Sequence, residues 1–248
     1  MHPDVIDLVE FYNSALGQLA RRQLRQRIRG IWSNVTGLRV LGLGYATPYL
    51  RQFRDEAERV IAVMPSAQGV VHWPPEGPCL TALTDEGELP LPDFSMDRVL
   101  VVHGLEGSEQ VGPMLSEIWR VLAPGGKLLL VVPNRRGLWA RFEHTPFGHG
   151  RPYTPPQLSR LLRDHLFSPT LTTGGLFLPP WRRRFVMRGA GALERLGERW
   201  WPGFAGVLLV EAGKQIYGLI PKREARRARR MVPALRPAAA RIGLQRRG

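Results

Sequence analysis

The chain has 248 residues, of which 44% are hydrophobic and 8% aromatic, which suits one α/β domain with additions and excludes wholesale disorder. The lone cysteine, Cys79, excludes an intramolecular disulfide and a cysteine-based zinc cage. The net charge is +14, and residues 221–248 carry ten basic residues against one acid. The first residues lack the pattern of a signal peptide and no stretch is apolar enough to span a bilayer, so we expect a cytoplasmic protein without a transmembrane segment.

The first predicted element is an amphipathic helix over residues 4–30. Its apolar residues recur at three- and four-residue spacing from Val5 to Leu24, and arginines fill its last turns, where positive charge suits the helix dipole. Such a helix can cover a sheet or close a pocket. We therefore predict an N-terminal helical element over residues 1–33, followed by the main domain over residues 34–220.

Short apolar runs alternate with helical patterns from Leu38 onward. The runs are apolar on both faces, as is typical of parallel strands covered by helices on both sides. They are Leu38–Leu43, Arg59–Met64, Cys79–Leu83, Arg98–Val102 and Lys127–Val132, with further strands near Thr170–Leu178 and Gly206–Ile220. The helical patterns are Pro48–Glu58, Val111–Leu122 and 155–166. This alternation predicts a doubly wound, Rossmann-like α/β sandwich with a mostly parallel, seven-stranded sheet.

The turn after the first strand contains two glycines, Gly42 and Gly44, which allow a ligand to lie against the backbone. Thr47 is predicted to be the N-cap of the next helix, with Pro48 at its first position. The free amides of that helix would favour an anionic group above the turn.

A second tract carries more information. Residues Ser116–Val132 end a helix in Arg-Val-Leu, reverse at Pro124-Gly125-Gly126 and continue as a leucine- and valine-rich strand. With the turn at Val40–Ala46, this tract resembles class I S-adenosylmethionine-dependent methyltransferases, and within them the small-molecule, type 11 branch. Asp85–Pro90 and Asp97–Leu100 add to the resemblance, which covers about residues 37–178. It implies S-adenosylmethionine as cofactor and methyl transfer to a small or medium-sized acceptor.

The resemblance also implies roles for individual positions. The cofactor-binding set would be Gly42, Gly44, Ala46, Met64, Pro65, Asp85, Glu86 and His103. The cofactor motif is degenerate, because family members usually have an acid where Gly42 stands and a ribose-binding acid where Met64 and Pro65 stand. Loss of that carboxylate contact costs about 1.5–3 kcal/mol if nothing replaces it.

Residues beyond the fifth strand lie at the carboxyl edge of the predicted sheet, where doubly wound folds bind ligands. Asn134, Arg135 and His144 are the predicted acceptor-contacting residues, and the arginine suits a carboxylate or phosphate. The candidate bases are His103, His149 and Tyr153. We expect no metal, since no carboxylate sits at ligand spacing beside the two loop histidines. Thr154 and Pro155 are predicted to begin the next helix.

An insertion over about residues 180–203 combines arginines with tryptophans: Trp181, Arg182–Arg184, Trp200 and Trp201. This mixture suits nucleic-acid binding, the face of a membrane-touching helix, or core tryptophans beside solvated arginines. The basic tail over residues 221–248 suits nucleic acid, an anionic surface or an acidic partner, or is a solubilising tail. Cys79 is interpreted as a small apolar residue in a buried strand.

Three functions therefore remain open at the level of the sequence. The first is a methyltransferase acting on a small-molecule acceptor. The second is a catalytically inactive methyltransferase-like protein that binds a partner, and the third is an RNA methyltransferase that uses the basic tail. The sequence does not decide the acceptor or the oligomeric state.

Overall fold

The protein is described by a computed structural model, which covers residues 3–181 and 190–215. The chain divides into two compact units, Met1–Ile216 and Tyr217–Gly248, and the second contains the predicted basic tail. That tail and Arg182–Arg184 lie outside the described residues. No helix among the described residues is both long and apolar enough to cross a membrane.

A seven-stranded sheet forms the centre of the first unit, in the order β3-β2-β1-β4-β5-β7-β6. Its strands are β1 (Arg39–Gly44), β2 (Arg59–Pro65), β3 (Thr81–Thr84), β4 (Met96–Val102), β5 (Leu122–Pro133), β6 (Phe167–Gly175) and β7 (Val207–Lys214). Only β7 runs against its neighbours, pairing antiparallel with β5 and β6. The predicted doubly wound, mostly parallel sheet is confirmed.

Helices cover both faces of the sheet. They are α1 (Val5–Asn13), α2 (Ala15–Ile31), α3 (Thr47–Leu50), α4 (Val111–Val121), α5 (Pro155–Asp164) and α6 (Ala190–Trp200). One apolar core joins α1 and α2 to one face, through residues such as Leu8 and Leu24. The other core joins α4 and α5 to the opposite face, through Ile118 and Leu162. As predicted, α5 begins at Pro155 with Thr154 as its N-cap.

The N-terminal helix is two helices, not the single one predicted. Ser14 has extended backbone angles, caps α2 by accepting from the Gly17 amide at 3.1 Å, and donates to the Phe11 carbonyl at 2.6 Å. Gly17 makes the bend possible, because a Cβ there would lie 1.9 Å from the Phe11 oxygen. Sequence periodicity missed this break because the apolar stripe continues from Tyr12 to Leu16 across it.

The predicted helix over Pro48–Glu58 is also shorter than expected. It is α-helical only over Thr47–Leu50 and continues as a 3₁₀ turn over Arg51–Phe53. Contacts of Glu56 end it, since its carboxylate pairs with Arg29 on α2 and its carbonyl accepts from the Gly37 amide at 3.2 Å. Ala46, and not Thr47, is the N-cap, without a side-chain hydrogen bond.

The edge strand β3 departs from prediction as well. It begins at Thr81 and is half exposed, with Leu83 50% exposed, because only β2 pairs with it. Cys79 precedes the strand and is exposed, so its interpretation as a buried-strand residue is wrong. Hydrogen bonds with Thr81 lower the pKa of the thiol to about 7.

The insertion is anchored to the sheet through Glu194 on α6. Its carboxylate accepts from the backbone amides of Leu176 and Phe177 at 3.0 and 2.8 Å, and it pairs with Arg27 on α2. Gly197 packs against Phe177, where an added Cβ would come within 2.4 Å of the Phe177 Cβ and 2.9 Å of the nearest ring carbon. The helical part of the predicted segment Trp181–Trp201 is therefore joined to both α2 and β6.

Asp97 stabilises the start of the central strands, and we expect Asp97→Asn to lower the free energy of unfolding at pH 7 by about 1 kcal/mol. Its carboxylate accepts from the Arg39 guanidinium at 2.9 and 3.1 Å, and these bonds lower the pKa of Asp97. The stabilisation is therefore present above the unfolded-state pKa of about 3.9 and is lost as pH falls through the lower folded-state pKa. Urea unfolding at pH 7, 5 and 3 measures it.

A matched control is Asp164→Asn, since that carboxylate is 64% exposed and 3.9 Å from Arg160. It should change the free energy of unfolding by less than about 0.5 kcal/mol at each pH. A loss from Asp97→Asn that is as large at pH 3 as at pH 7 would contradict the ion-pair explanation.

Candidate functional site

A cavity of about 960 Å³ opens at the carboxyl ends of β2 and β3. Its floor includes Pro65 and Ser66 after β2 and Asp85 and Glu86 after β3. Helix α1 forms one wall, and the loop over residues 143–150 forms another. Parallel strands that end together at one edge leave a crevice there, which is where doubly wound folds bind ligands.

The cavity lining is acidic, although the whole chain is strongly basic. Six carboxylate residues line it: Asp4, Asp7, Asp85, Glu86, Glu109 and Glu143. Among the described residues, no lysine or arginine does. The lining charge favours a cationic or neutral ligand over an anionic one.

The glycine-containing turn after β1 does not reach this cavity. Tyr45, Ala46 and Thr47 are all buried, and the ring of Tyr12 from α1 stacks on Tyr45 with centroids 5.6 Å apart. Helix α3 has only four residues, too short to build the macrodipole on which the predicted anion site depends. The space above the turn is occupied by the aromatic side chains of the N-terminal helix.

A buried chain of hydrogen bonds runs beneath α1. The Tyr12 hydroxyl lies 2.9 Å from the Tyr49 hydroxyl and 2.8 Å from Nε2 of His103, whose Nδ1 lies 3.2 Å from Oε1 of Glu106. A carboxylate only accepts, so Nδ1 of His103 carries a proton, and in the neutral imidazole Nε2 accepts from Tyr12. Burial raises the pKa of Tyr12 well above its usual value, so the phenol keeps its proton. We refer to Tyr12, Tyr49, His103 and Glu106 as the relay.

The backbone at His103 is held in an unusual conformation. Its φ of 51° lies in the left-handed region, which costs a residue with a side chain about 1–2 kcal/mol. The Gln68 side chain holds it by donating to the His103 carbonyl at 2.7 Å, and the carbonyl of Gln68 accepts from the first amide of α1, that of Val5, at 2.8 Å. Strain retained at a sheet edge suggests a functional position.

Two buried hydrogen-bond acceptors near His103 lack a donor in the part of the chain that the structure describes. Oε2 of Glu106 and Oε1 of Gln68 have no hydrogen-bond partner among the described residues. The loop that follows β5 packs over Glu106, since the Arg151 amide donates to its carbonyl at 2.7 Å and a Cβ on Gly150 would lie 2.4 Å from it. A buried carboxylate oxygen without a donor is costly unless a ligand or cation supplies one.

Comparison with known proteins finds methyltransferases that resemble part of the chain. Residues 40–130 match the family described as "Methyltransferase domain". The chain is 31% identical over 116 residues to the demethylmenaquinone methyltransferase of Deinococcus radiodurans, covering 45% of this chain and 47% of the relative. Residues 40–130 of the chain therefore resemble a methyltransferase domain.

Other relatives agree with this methyltransferase domain. The chain is 44% identical over 54 residues to a ubiquinone/menaquinone biosynthesis C-methyltransferase of Bordetella avium, covering 22% of this chain and 21% of the relative. A methyltransferase structure from Archaeoglobus fulgidus superimposes with a TM-score of 0.59 at 20% identity, covering 85% of this chain and all of that one. The alignments span less than half the length of both curated relatives.

The cavity suits one end of S-adenosylmethionine, the cofactor that the resemblance implies. The open cavity beside Pro65 and Asp85 lies where the adenosyl group is expected, and its carboxylates suit a cationic cofactor. Asp85 is exposed and accepts from the Gly87 amide at 2.8 Å. The turn over which the methionine end is expected is covered by the Tyr12 ring, which stacks on Tyr45.

Five of the predicted site residues line the cavity: Pro65, Asp85, Glu86, His144 and His149. Glu86 is 7% exposed, and its carboxylate accepts from the Ser108 hydroxyl at 2.6 Å, which ties it to the loop after β4. His144 lies within 3.2 Å of the Pro180 carbonyl. The loop histidines and the residues after β3 thus share one site.

The remaining predicted residues lie elsewhere. Those that are buried behind the cavity are Gly42, Gly44, Ala46, Met64 and His103. Asn134 is buried, and its amide donates to the carbonyls of Gly203 and Ala205 at 3.1 and 2.7 Å. Arg135 is exposed and donates to the Pro152 carbonyl, while Tyr153 pairs with Asn134 in an isolated bridge. Acceptor contacts by Asn134 and Arg135, and a role of Tyr153 as a base, stay predictions.

Sequence reasoning missed the contribution of α1 and of Glu106. Asp7, Leu8 and Phe11 line the cavity, and Tyr12 joins the relay. The only sequence signal was the amphipathic pattern of the helix, which indicates a covering role without saying what is covered. Across residues 3–181 and 190–215, no group of three or more histidine, cysteine or acidic residues could hold a metal ion.

Proposed function

We propose that this chain is an S-adenosylmethionine-dependent methyltransferase that acts on a neutral or cationic, small or medium-sized acceptor. The observation that carries the proposal is the acidic cavity at the carboxyl ends of β2 and β3, two strands of the stretch that matches a methyltransferase domain. The absence of lysine and arginine from the described lining argues against the anionic acceptor that Arg135 suggests from the sequence.

S-adenosylmethionine, when bound, supplies an electrophilic methyl group. The chain's own residues align the acceptor and exclude water. In our proposal, Pro65 and Asp85 hold the adenosyl end, and the acidic lining balances the positive charge of the cofactor. Helix α1 then closes over the acceptor with Leu8 and Phe11 facing the cavity.

The relay supplies a base where the acceptor must lose a proton. Methyl transfer to a carbon or to a hydroxyl oxygen releases one proton, and Nε2 of His103 is the acceptor atom placed to take it once Tyr12 has moved away. Glu106 orients the imidazole through Nδ1 and stabilises the resulting positive charge. The names of two relatives refer to quinones, and the reduced, hydroxylated form of a quinone ring is an acceptor that fits these requirements.

Binding of S-adenosylhomocysteine, measured by isothermal titration calorimetry, tests the proposed function. We expect one site per chain with a Kd of about 1–100 µM, together with thermal stabilisation. Asp85→Asn should weaken binding about tenfold, because it removes a charged contact to the adenosyl end.

The matched control is Glu88→Gln, which removes an exposed carboxylate that does not line the cavity. It should bind as the wild-type chain does. No heat and no thermal stabilisation in the wild-type chain would instead favour the catalytically inactive alternative. Salt-sensitive RNA binding without nucleoside binding would also contradict the proposal.

A further inference from the structure

Large apolar side chains are exposed around the end of α6. They are Leu138 at 40% exposure, Trp181 at 50%, Leu196 at 51%, Trp200 at 66%, Trp201 at 60% and Phe204 at 61%. We call these six residues the aromatic rim. Large apolar side chains that are exposed together in one region usually mark an interaction surface.

Contacts between the segments show that the rim lies at the carboxyl edge of the sheet. The Asn134 amide at the end of β5 bonds to the Gly203 carbonyl, and Gly137 packs against Ala205, where a Cβ would meet the carbonyl oxygen at 2.2 Å. The segment before Trp181 is held by the Trp139 indole, which donates to the Leu178 carbonyl at 2.7 Å. Leu138, Phe204 and Trp181 therefore flank one packed loop cluster.

Arginines are interspersed with this apolar surface. Arg135, Arg136, Arg141 and Arg199 are exposed, and none of them forms an ion pair with another described residue. The sequence adds Arg182–Arg184 and Arg188 directly after Trp181. Tryptophans beside arginines that form no ion pair are typical of a membrane-binding surface. The indole ring prefers the headgroup level of the bilayer, and arginine is attracted to anionic lipid.

We propose that the aromatic rim docks this protein on the surface of a bilayer that contains anionic lipid. The exposed arginines complement lipid phosphates, and the exposed tryptophans suit the headgroup level of a bilayer. The cavity wall meets the rim at His144, which bonds to the Pro180 carbonyl next to Trp181. The docked protein thus holds its cavity beside the lipid surface. The proposal does not depend on the proposed methyl transfer.

Co-sedimentation of the full chain with vesicles tests the proposal. Vesicles of phosphatidylcholine with about 30% phosphatidylglycerol should bind the chain at least about tenfold more tightly than phosphatidylcholine alone, and W200S/W201S should weaken binding about tenfold. The control V70S/L83S replaces two side chains that are 44% and 50% exposed outside the rim, and should bind like the wild-type chain. Circular dichroism checks that both double variants are folded.

Several results would overturn the proposal. Equal binding of W200S/W201S and the wild-type chain would assign lipid affinity to other basic segments. Equal binding to neutral and anionic vesicles would remove the role of the arginines. If the chain binds a single-stranded RNA oligonucleotide but no vesicles, and W200S/W201S abolishes the RNA binding, the rim binds nucleic acid. If the chain forms a dimer that W200S/W201S abolishes, the rim binds a second copy of the chain.

Discussion

Tyr12→Phe should bind S-adenosylhomocysteine about tenfold more tightly than the wild-type chain while lowering the free energy of unfolding by about 1–3 kcal/mol. The hydroxyl is the group that holds α1 closed over the turn, through Tyr49 and His103. Its removal leaves buried polar partners unsatisfied in the closed state only. The fraction of molecules that can accept the ligand rises, and the apparent Kd falls in proportion.

Calorimetry and urea unfolding on the same samples measure both effects. We expect affinity to rise while stability falls. A general disruption of the fold would instead lower both stability and affinity, so the two measurements distinguish it from the loss of the Tyr12 hydrogen bonds. The matched control is Val121→Ala, a fully buried residue at the far end of α4, which should cost about 2 kcal/mol in stability and leave the Kd unchanged. Unchanged or weaker binding by Tyr12→Phe would show that the phenol does not compete with the ligand.

Gly44→Ala should lower the free energy of unfolding by about 3–5 kcal/mol, or prevent the protein from accumulating. Gly44 has a φ of 76°, and a Cβ there would lie 2.4 Å from the Val102 carbonyl oxygen and 3.0 Å from the Gly104 amide nitrogen. Both are backbone atoms of the turn that carries His103, so no side chain can move aside. Urea unfolding followed by circular dichroism measures the loss.

Gly37→Ala is the matched control for this substitution. Gly37 has a φ of 70°, but nothing lies within 4 Å of a Cβ built there, so only the backbone strain of about 1–2 kcal/mol should appear. If Gly44→Ala and Gly37→Ala lower the free energy of unfolding equally, the turns that follow β1 and β4 can move apart to accommodate the added methyl group. The expected difference gives the motif glycine a packing role in addition to any contact with a cofactor.

The sheet could be predicted from the sequence because short runs such as Val40–Leu43 and Leu128–Val132 are buried on both faces. Boundaries governed by tertiary contacts could not. The break at Ser14 leaves the apolar stripe intact, and the helix after β1 ends through the contacts of Glu56 with distant residues. Strand β3 was expected to be buried because its place at the edge depends on strand order, which periodicity does not encode.

The candidate site was only partly predictable for a similar reason. Asp85 and Pro65 follow strands, so their common edge could be inferred from the parallel sheet. The acidity of the cavity could not, because its carboxylates come from segments as distant in sequence as Asp4 and Glu143. The relay was hidden because Tyr12 and His103 are 91 positions apart.

That separation has a consequence for synthesis of the chain. Helix α1 is synthesised before β4 and its following turn, so Tyr12 cannot form the hydrogen bonds of the relay until His103 and Glu106 have been synthesised. Until then Leu8, Phe11 and Tyr12 lack the surface that buries them in the native fold. The α1 segment therefore stays exposed to chaperones and proteases until the residues up to Glu106 have been synthesised.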